Sequence, residues 1–420
     1  MFENKDLDFR TRLYVFISIF VPALFTALTD LDIGQFATYI VAASLLGFGI
    51  LPILGIVYFF CLVINSVNGR INIVTNKGLI ELIRERYGIV HSVVLFIFFF
   101  FLCIGIFIQA ITGLKLVAGL LGYNEYIFIV INYLFIFLII SFRFVKNIKR
   151  LFIFVLMFYG AIITVSIAKI ISSKIFLDFP AHKLLPDMVD YQNIPFIFLA
   201  VLGATVTPWT LLYISRYTYS TKLNLNRLTY FKLENHIVNI LLFVTSSLLV
   251  IGALLSLNKA NLINNPNLIT GLLDPISSQM DVIVIGSGIA VISILILIFI
   301  PLTLTYIYTE FFGGEKYNEE ELQMGFGNKL VYLFLGGVSI AAIYFFKLSL
   351  FQTTLFIDFV NGLFLLAIIY FLYNFANNKG LMGVRYKNNL VDNVTLWIIT
   401  LFIICSFILV LVFKIITVFI

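Results

Sequence analysis

A chain of 420 residues with 61% hydrophobic and 11% charged side chains, and a mean hydropathy of +1.08, cannot be a water-soluble globular protein. A soluble domain carries roughly a quarter charged residues and could not hide this much apolar surface. The formal charge of +6 does not mark a nucleic-acid binder, because the Lys and Arg residues sit in short loops between apolar runs and form no stripe.

No polar stretch is long enough to fold separately, so residues 1–420 read as one polytopic transmembrane domain. The N-terminal MFENKDLDFRTR followed by an apolar run resembles a signal peptide in outline, but the run continues past residue 27, which favours an uncleaved first helix. Lipid leaves no water for backbone groups, so a spanning helix needs about 20 apolar residues. The pattern predicts eleven spans: 14–47 (long and interrupted), 49–66, 91–120, 125–142, 150–172, 193–215, 234–256, 282–310, 330–346, 353–376 and 394–417. The stretch 77–88 is amphipathic and too charged to span. Cys61, Cys103 and Cys405 all fall inside apolar runs and read as small hydrophobes rather than a disulfide framework.

The positive-inside rule orients these spans. With the N-terminus in the cytoplasm, the N-terminal tail and the loops after spans 2, 4, 6, 8 and 10 hold 20 of the 27 Lys and Arg. The opposite loops hold Lys174, Lys183, Lys259 and Lys347, and Lys115, Lys169 and Lys414 lie towards the outer ends of helices, where long side chains snorkel. The expected topology is N-in, C-out, in a multi-pass protein of the plasma membrane.

Two spans break the rules of a membrane helix. Span 1 contains Thr29-Asp30-Leu31-Asp32-Ile33-Gly34-Gln35. Two carboxylates near mid-membrane cost about 2.5 kcal/mol or more each, and they repel one another unless a proton or a cation sits between them. Gly34 gives the backbone freedom to unwind there. The alternative is a helix end with Asp30 and Asp32 in an interfacial loop, but the apolar run resuming at Phe36 favours an interruption. Span 6 contains Gly203-Ala204-Thr205-Val206-Thr207-Pro208-Trp209. Pro208 cannot donate to the carbonyl of Ala204, so that oxygen is free for another partner. Alone, this is an ordinary proline kink. The two breaks, however, fall at corresponding positions of two five-helix halves, about 14–172 and 193–376, with an extra helix at 394–417. That is the pattern of an inverted-repeat transporter with its site at the repeat interface.

At these residues the chain resembles the natural resistance-associated macrophage protein (Nramp) family of metal transporters. Asp32-Ile33-Gly34-Gln35-Phe36-Ala37-Thr38 is similar to the family's Asp-Pro-Gly-Asn-Phe-Ala-Thr signature in helix 1. Gly203-Ala204-Thr205-Val206-Thr207-Pro208 is similar to its Gly-Ala-Thr-Val-Met-Pro signature in helix 6. Val74 to Leu79 with Arg84-Glu85-Arg86-Tyr87, and Leu381-Met382-Gly383, match further landmarks in the same order. The resemblance implies an all-α fold of eleven helices, shared with amino-acid and sodium symporters, and alternating access around a divalent metal ion. It implies no enzyme activity and no cofactor, the metal being the substrate. Carried over, it places the metal against Asp32, Gln35, the carbonyl of Ala204, and Thr207.

The departures from the family pattern shape the expected chemistry. The helix-6 methionine is Thr207 here, which removes the soft thioether that favours transition metals. The helix-1 asparagine is Gln35. Asp30 and Asp358 add carboxylates where the family has neutral groups. An all-oxygen, acid-rich set suits a hard cation such as Mg²⁺, which keeps some of its waters, with Mn²⁺ compatible. The family's histidine after the proline is Trp209 and its helix-3 glutamate is Gln109. Neither titrates, so the usual proton relay lacks two members, a pattern closest to the Nramp-related magnesium transporters.

Other candidates weigh less. Asn361 lies one helical turn from Asp358 and shares its face, although an interhelical hydrogen bond is the commoner use of a membrane asparagine. His91, His182 and His236 are scattered over span ends and loops. No HExxH or CxxC pattern or phosphate loop supports catalysis. Three alternatives stay open: a proton-coupled Mn²⁺ or Fe²⁺ transporter, an organic-substrate symporter of the same fold, and a membrane enzyme or scaffold. Two aspartates would repel the carboxylate of an amino acid, and a scaffold leaves both breaks unexplained.

Overall fold

A computed structural model describes residues 32–141, 148–172, 193–212, 228–257, 269, 278–312 and 326–419. Among them the chain is helical, with no strand. In chain order the helices are α1 (Ile33–Leu46), α2 (Ile50–Thr75), α3 (Leu79–Tyr87), α4 (Ile89–Leu120), α5 (Glu125–Ser141) and α6 (Ile148–Ser172). Then come α7 (Ile194–Thr205), α8 (Leu228–Leu257), α9 (Ser278–Phe312), α10 (Phe326–Phe346), α11 (Leu350–Asn377), α12 (Lys379–Met382) and α13 (Leu390–Phe419).

Nine stretches of the described residues are long and apolar enough to cross a membrane. One of them, Ile33–Thr75, runs for 43 residues and contains two of the spans expected from the sequence. Its two helices, α1 and α2, are joined only by the turn Gly47–Gly49. The expected span over 125–142 is the shorter apolar helix α5, of 17 residues. The part of span 1 before residue 32 lies outside the described residues, as do most of the two longest loops.

Apolar runs end before the helices do. α2 continues nine residues past the expected end at 66, although Asn68, Arg70 and Asn72 are polar. They are tolerated because each finds a partner inside the protein. Asn68 Nδ2 donates to the carbonyl of Leu211 (3.0 Å), and Asn72 Nδ2 donates to Asn68 Oδ1 (3.3 Å). Arg70 donates to Asp392 (2.9 Å) on α13 and to Asn388 just before that helix. Hydropathy marks where lipid contact stops; buried hydrogen bonds carry the helix further.

The amphipathic stretch forms α3, a nine-residue helix that buries Leu79, Ile80, Leu82 and Ile83. Glu81 in its first turn and Arg84 and Arg86 in its last complement the helix dipole. Arg84 also donates to the carbonyl of Phe311 at the end of α9 (3.0 Å), which ties this surface helix to the bundle.

α1 is the central element. Twelve of its fourteen residues are buried, and it touches α4, α7, α8, α9 and α11. Surface burial does little to drive helix association in lipid, so close packing must hold the bundle. The tightest crossing is α7 on α11. A Cβ on Gly203 would run into the backbone carbonyl of Asp358, and one on Gly362 would lie 2.4 Å from the carbonyl of Leu199. Glycine at both positions lets the two backbones touch. This crossing sets the turn of α11 that carries Asp358 directly against the end of α7.

Candidate metal centre

A helix starts at the break expected in span 1 and another stops at the break expected in span 6, with different chemistry at each; the first half of span 1 lies outside the described residues. α1 begins at Ile33 because Asp32 caps it: the extended Asp32 accepts from the backbone N–H of Gln35 through Oδ1 (2.8 Å). Aspartate is among the best N-caps, and its charge sits at the positive end of the helix. Gly34 therefore lies in the first turn of α1 and not in an unwound segment. α7 ends at Thr205, Val206 is non-helical, and a short helical turn resumes over 208–212. Pro208 supplies no N–H to the carbonyl of Ala204, so the ladder fails there as its chemistry requires.

Asp32 and Asp358 are both buried, at 6% and 1% exposure, and lie close enough to interact electrostatically. Asp358 Oδ2 accepts from Thr38 on α1 (2.7 Å). Its Oδ1 accepts from Gln109 Nε2 on α4 (2.9 Å) and from Asn361 Nδ2 (3.3 Å). Three donors from three helices hold one carboxylate in place. The focus of the site is the missing side chain of Gly34. A Cβ there would lie 3.1 Å from Asp32 Oδ1, 3.2 Å from Gln109 Oε1 and 3.3 Å from Asp358 Oδ1.

The remaining expected ligands divide. Gln35 is buried and its Nε2 points to the carbonyl of Thr205 (3.5 Å), while its Oε1 has no hydrogen-bond partner among the described residues. The free-ended carbonyl that Gln35 meets is thus that of Thr205, one residue beyond Ala204. The Thr207 hydroxyl is shared with Thr210 Oγ1 (2.7 Å) and so lies along its own turn. Trp209 lies near the Asp32 carboxylate, and its buried indole N–H completes no hydrogen bond among the described residues. Asp30 lies outside the described residues. His91 and His236 bind the carbonyls four residues before them (2.8 and 2.6 Å) and take no part in the centre. Among the described residues no group of three or more His, Cys, Asp and Glu comes together. What comes together is two carboxyl groups, with the Gln109 and Asn361 amides and the Thr38 hydroxyl around Asp358.

Sequence reasoning passed over Thr38, Tyr39 and Thr205. Thr38 was visible only as the last residue of the helix-1 motif, and its role depends on a partner 320 positions away. Tyr39 and Thr205 belong to a buried hydroxyl chain. Thr205 Oγ1 meets Tyr39 (2.7 Å), Tyr39 meets Tyr58 (3.1 Å), and Tyr58 meets Ser246 on α8 (2.7 Å). This chain ties the end of α7 to α1, α2 and α8.

Comparison with known proteins gives a consistent picture. No curated protein sequence matches the chain. Solved structures of a manganese transporter from Eremococcus coleocola share its fold. The form bound to an aromatic bis-isothiourea compound superposes with a TM-score of 0.68 at 18% identity, over 96% of this chain and 88% of that one. A single-residue variant of the same transporter gives 0.67 at 16% identity, over 95% and 87%. The family model for Natural resistance-associated macrophage protein-like proteins matches residues 23–413, and the chain belongs to that family of multi-pass membrane transporters.

Proposed function

We propose that this protein carries a divalent metal ion across the membrane by alternating access, with Mg²⁺ as the favoured ion, and that it does so without the usual proton relay. The supporting observation is the convergence of Asp32 Oδ1, Asp358 Oδ1 and Gln109 Oε1 on the space beside Gly34. Two buried carboxylates with surplus oxygens around them call for a cation, and hard oxygen donors suit Mg²⁺ or Mn²⁺ rather than softer metals.

In this reading Asp32 is the principal ligand, with Gln35, Thr207, the carbonyl of Ala204 or Thr205, Asp358 and Asp30 completing the set as the helix ends rearrange. Thr207 turns from Thr210 to the ion in that rearrangement. The two repeats, 14–172 and 193–376, move against each other around this point. Gln109 and Trp209 carry no titratable proton, so no proton path runs through either position.

A second reading, proton-coupled Mn²⁺ transport, has support of its own: the similar solved structures are of a manganese transporter. Uptake into proteoliposomes separates the two. With a Mg²⁺-sensitive dye and an internal pH probe, the favoured reading predicts Mg²⁺ entry without acidification. Mn²⁺ entry with acidification and no Mg²⁺ flux would establish the second.

A further inference from the structure

We propose that Gln109 is itself a ligand of the transported cation, and that with Asp32 and Asp358 it forms an oxygen subsite over Gly34 that sets the preference for hard cations. The inference rests on the transport reading above and goes beyond it, because there Gln109 counts only as a lost relay position. Gln109 is 1% exposed, and both contacts of its side-chain nitrogen are fixed: Nε2 donates to Asp358 Oδ1 (2.9 Å) and reaches the carbonyl of Thr354 (3.5 Å). Those two acceptors assign the nitrogen to that end of the amide, since an oxygen turned towards a carboxylate and a carbonyl would be repelled. The oxygen is thereby aimed the other way, towards Gly34, where it accepts no hydrogen bond among the described residues.

In a side chain this buried, little water is at hand to replace a missing donor. The Gln109 oxygen faces a small space that two carboxylate oxygens also face, and a Cβ at Gly34 would stand 3.1–3.3 Å from all three. What such a space lacks is positive charge. The three oxygens come from α1, α4 and α11, so an ion held there would bind elements of both halves of the chain at once. A neutral oxygen in place of a third carboxylate also limits the charge of the set, which suits a cation that arrives with part of its water shell. Asn361, whose Nδ2 holds Asp358 and whose own Oδ1 is buried and unpartnered, extends the same acceptor surplus by one position.

Two substitutions test the subsite in full-length protein reconstituted into liposomes, with Mg²⁺ and Mn²⁺ as the probes. Gln109→Leu removes the oxygen, together with the donor to Asp358, and puts an apolar side chain of similar size in its place. It is expected to raise the KM for Mg²⁺ at least tenfold, with a smaller rise for Mn²⁺ and little change in maximal rate. Gly34→Ala leaves Gln109 in place and favours the helix, since Ala is the better helix former, but puts a methyl group against all three oxygens. It is expected to abolish the Mg²⁺-dependent rise in melting temperature, read against the metal-free melting temperature of the same variant. If Gln109→Leu keeps the wild-type KM and ion preference, or if Gly34→Ala keeps the Mg²⁺-dependent shift, the subsite is overturned. Asp32→Ala serves as the reference. Normal flux in that variant would sink the transport reading itself, whereas loss of flux there with wild-type behaviour in the other two would sink only this inference.

Discussion

Two buried polar clusters in this protein look alike in composition and differ in their balance of donors and acceptors. At the end of α2, Arg70 pairs with Asp392 and is surrounded by Asn388, Asn393 and Asn377. Asn377 and Asn393 exchange hydrogen bonds in both directions (2.8 and 2.9 Å). Charge cancels, the amides pair with one another, only Arg70 Nε is left without a hydrogen bond among the described residues of the cluster, and the cluster clasps α2, α11 and α13 together. At the centre, Asp32 and Asp358 bring two buried carboxyl groups, and no Lys or Arg among the described residues pairs with either. The amide oxygens of Gln35 and Asn361 are left over, and that of Gln109 lies 3.2 Å from where a Cβ on Gly34 would stand. In the proposed reading, surplus acceptors beside two neighbouring carboxyl groups are what a cation completes, whereas a network with its own counter-ion has no such need.

Removing the charge that anchors the central cluster should have the largest effect. Asp32→Ala is expected to reduce metal uptake to the level of empty liposomes while the protein still inserts and runs as a single species in detergent; normal flux would remove Asp32 from the site. Asp358→Asn keeps the shape and loses the charge. Mg²⁺ affinity measured by calorimetry should fall at least tenfold, about 1.4 kcal/mol, and an unchanged affinity would make Asp358 a packing residue only.

The clasp should respond in the opposite way. Asp392→Ala leaves Arg70 buried without its counter-ion. Breaking a fully buried pair costs about 3–5 kcal/mol, and the partial exposure of Asp392 brings the expected loss nearer 2 kcal/mol. Thermal melting should reveal it, with the ratio of Mg²⁺ to Mn²⁺ uptake unchanged. A changed ratio would mean that the two clusters are not separable. The smallest effect is a shift of preference: Thr207→Met restores a thioether at the end of span 6 and should move competition between Mg²⁺ and Cd²⁺ towards Cd²⁺ by about tenfold. No shift would place Thr207 outside the site.

The fold was legible because the bilayer allows so few solutions. Long apolar runs had to be helices, the amphipathic 77–88 could not span, and Pro208 had to break its helix. The helix ends were less legible: nothing in the hydropathy of residues 67–75 says that Asn68, Arg70 and Asn72 will find partners elsewhere. The centre was half legible. Asp32, Gln35 and the break after Thr205 lie in short motifs. Gly34 was visible as a glycine, but it lies inside α1 and not in an unwound segment, and only the structure shows that three side-chain oxygens crowd the space beside it. Gln109 reads in sequence as a missing proton carrier, and only contact with Asp358, 249 positions away, shows where its oxygen points.

The central claim is that Asp32 and Asp358 hold one and the same cation. A double-mutant cycle tests it directly: Mg²⁺ dissociation constants for wild type, Asp32→Asn, Asp358→Asn and the double variant. Asparagine keeps the cap at position 32, so α1 should start where it does now. If both carboxylates serve a single ion, each single substitution removes most of the affinity and the double variant loses little more. Independent losses that simply add would contradict the account, because they would place the two aspartates at separate sites.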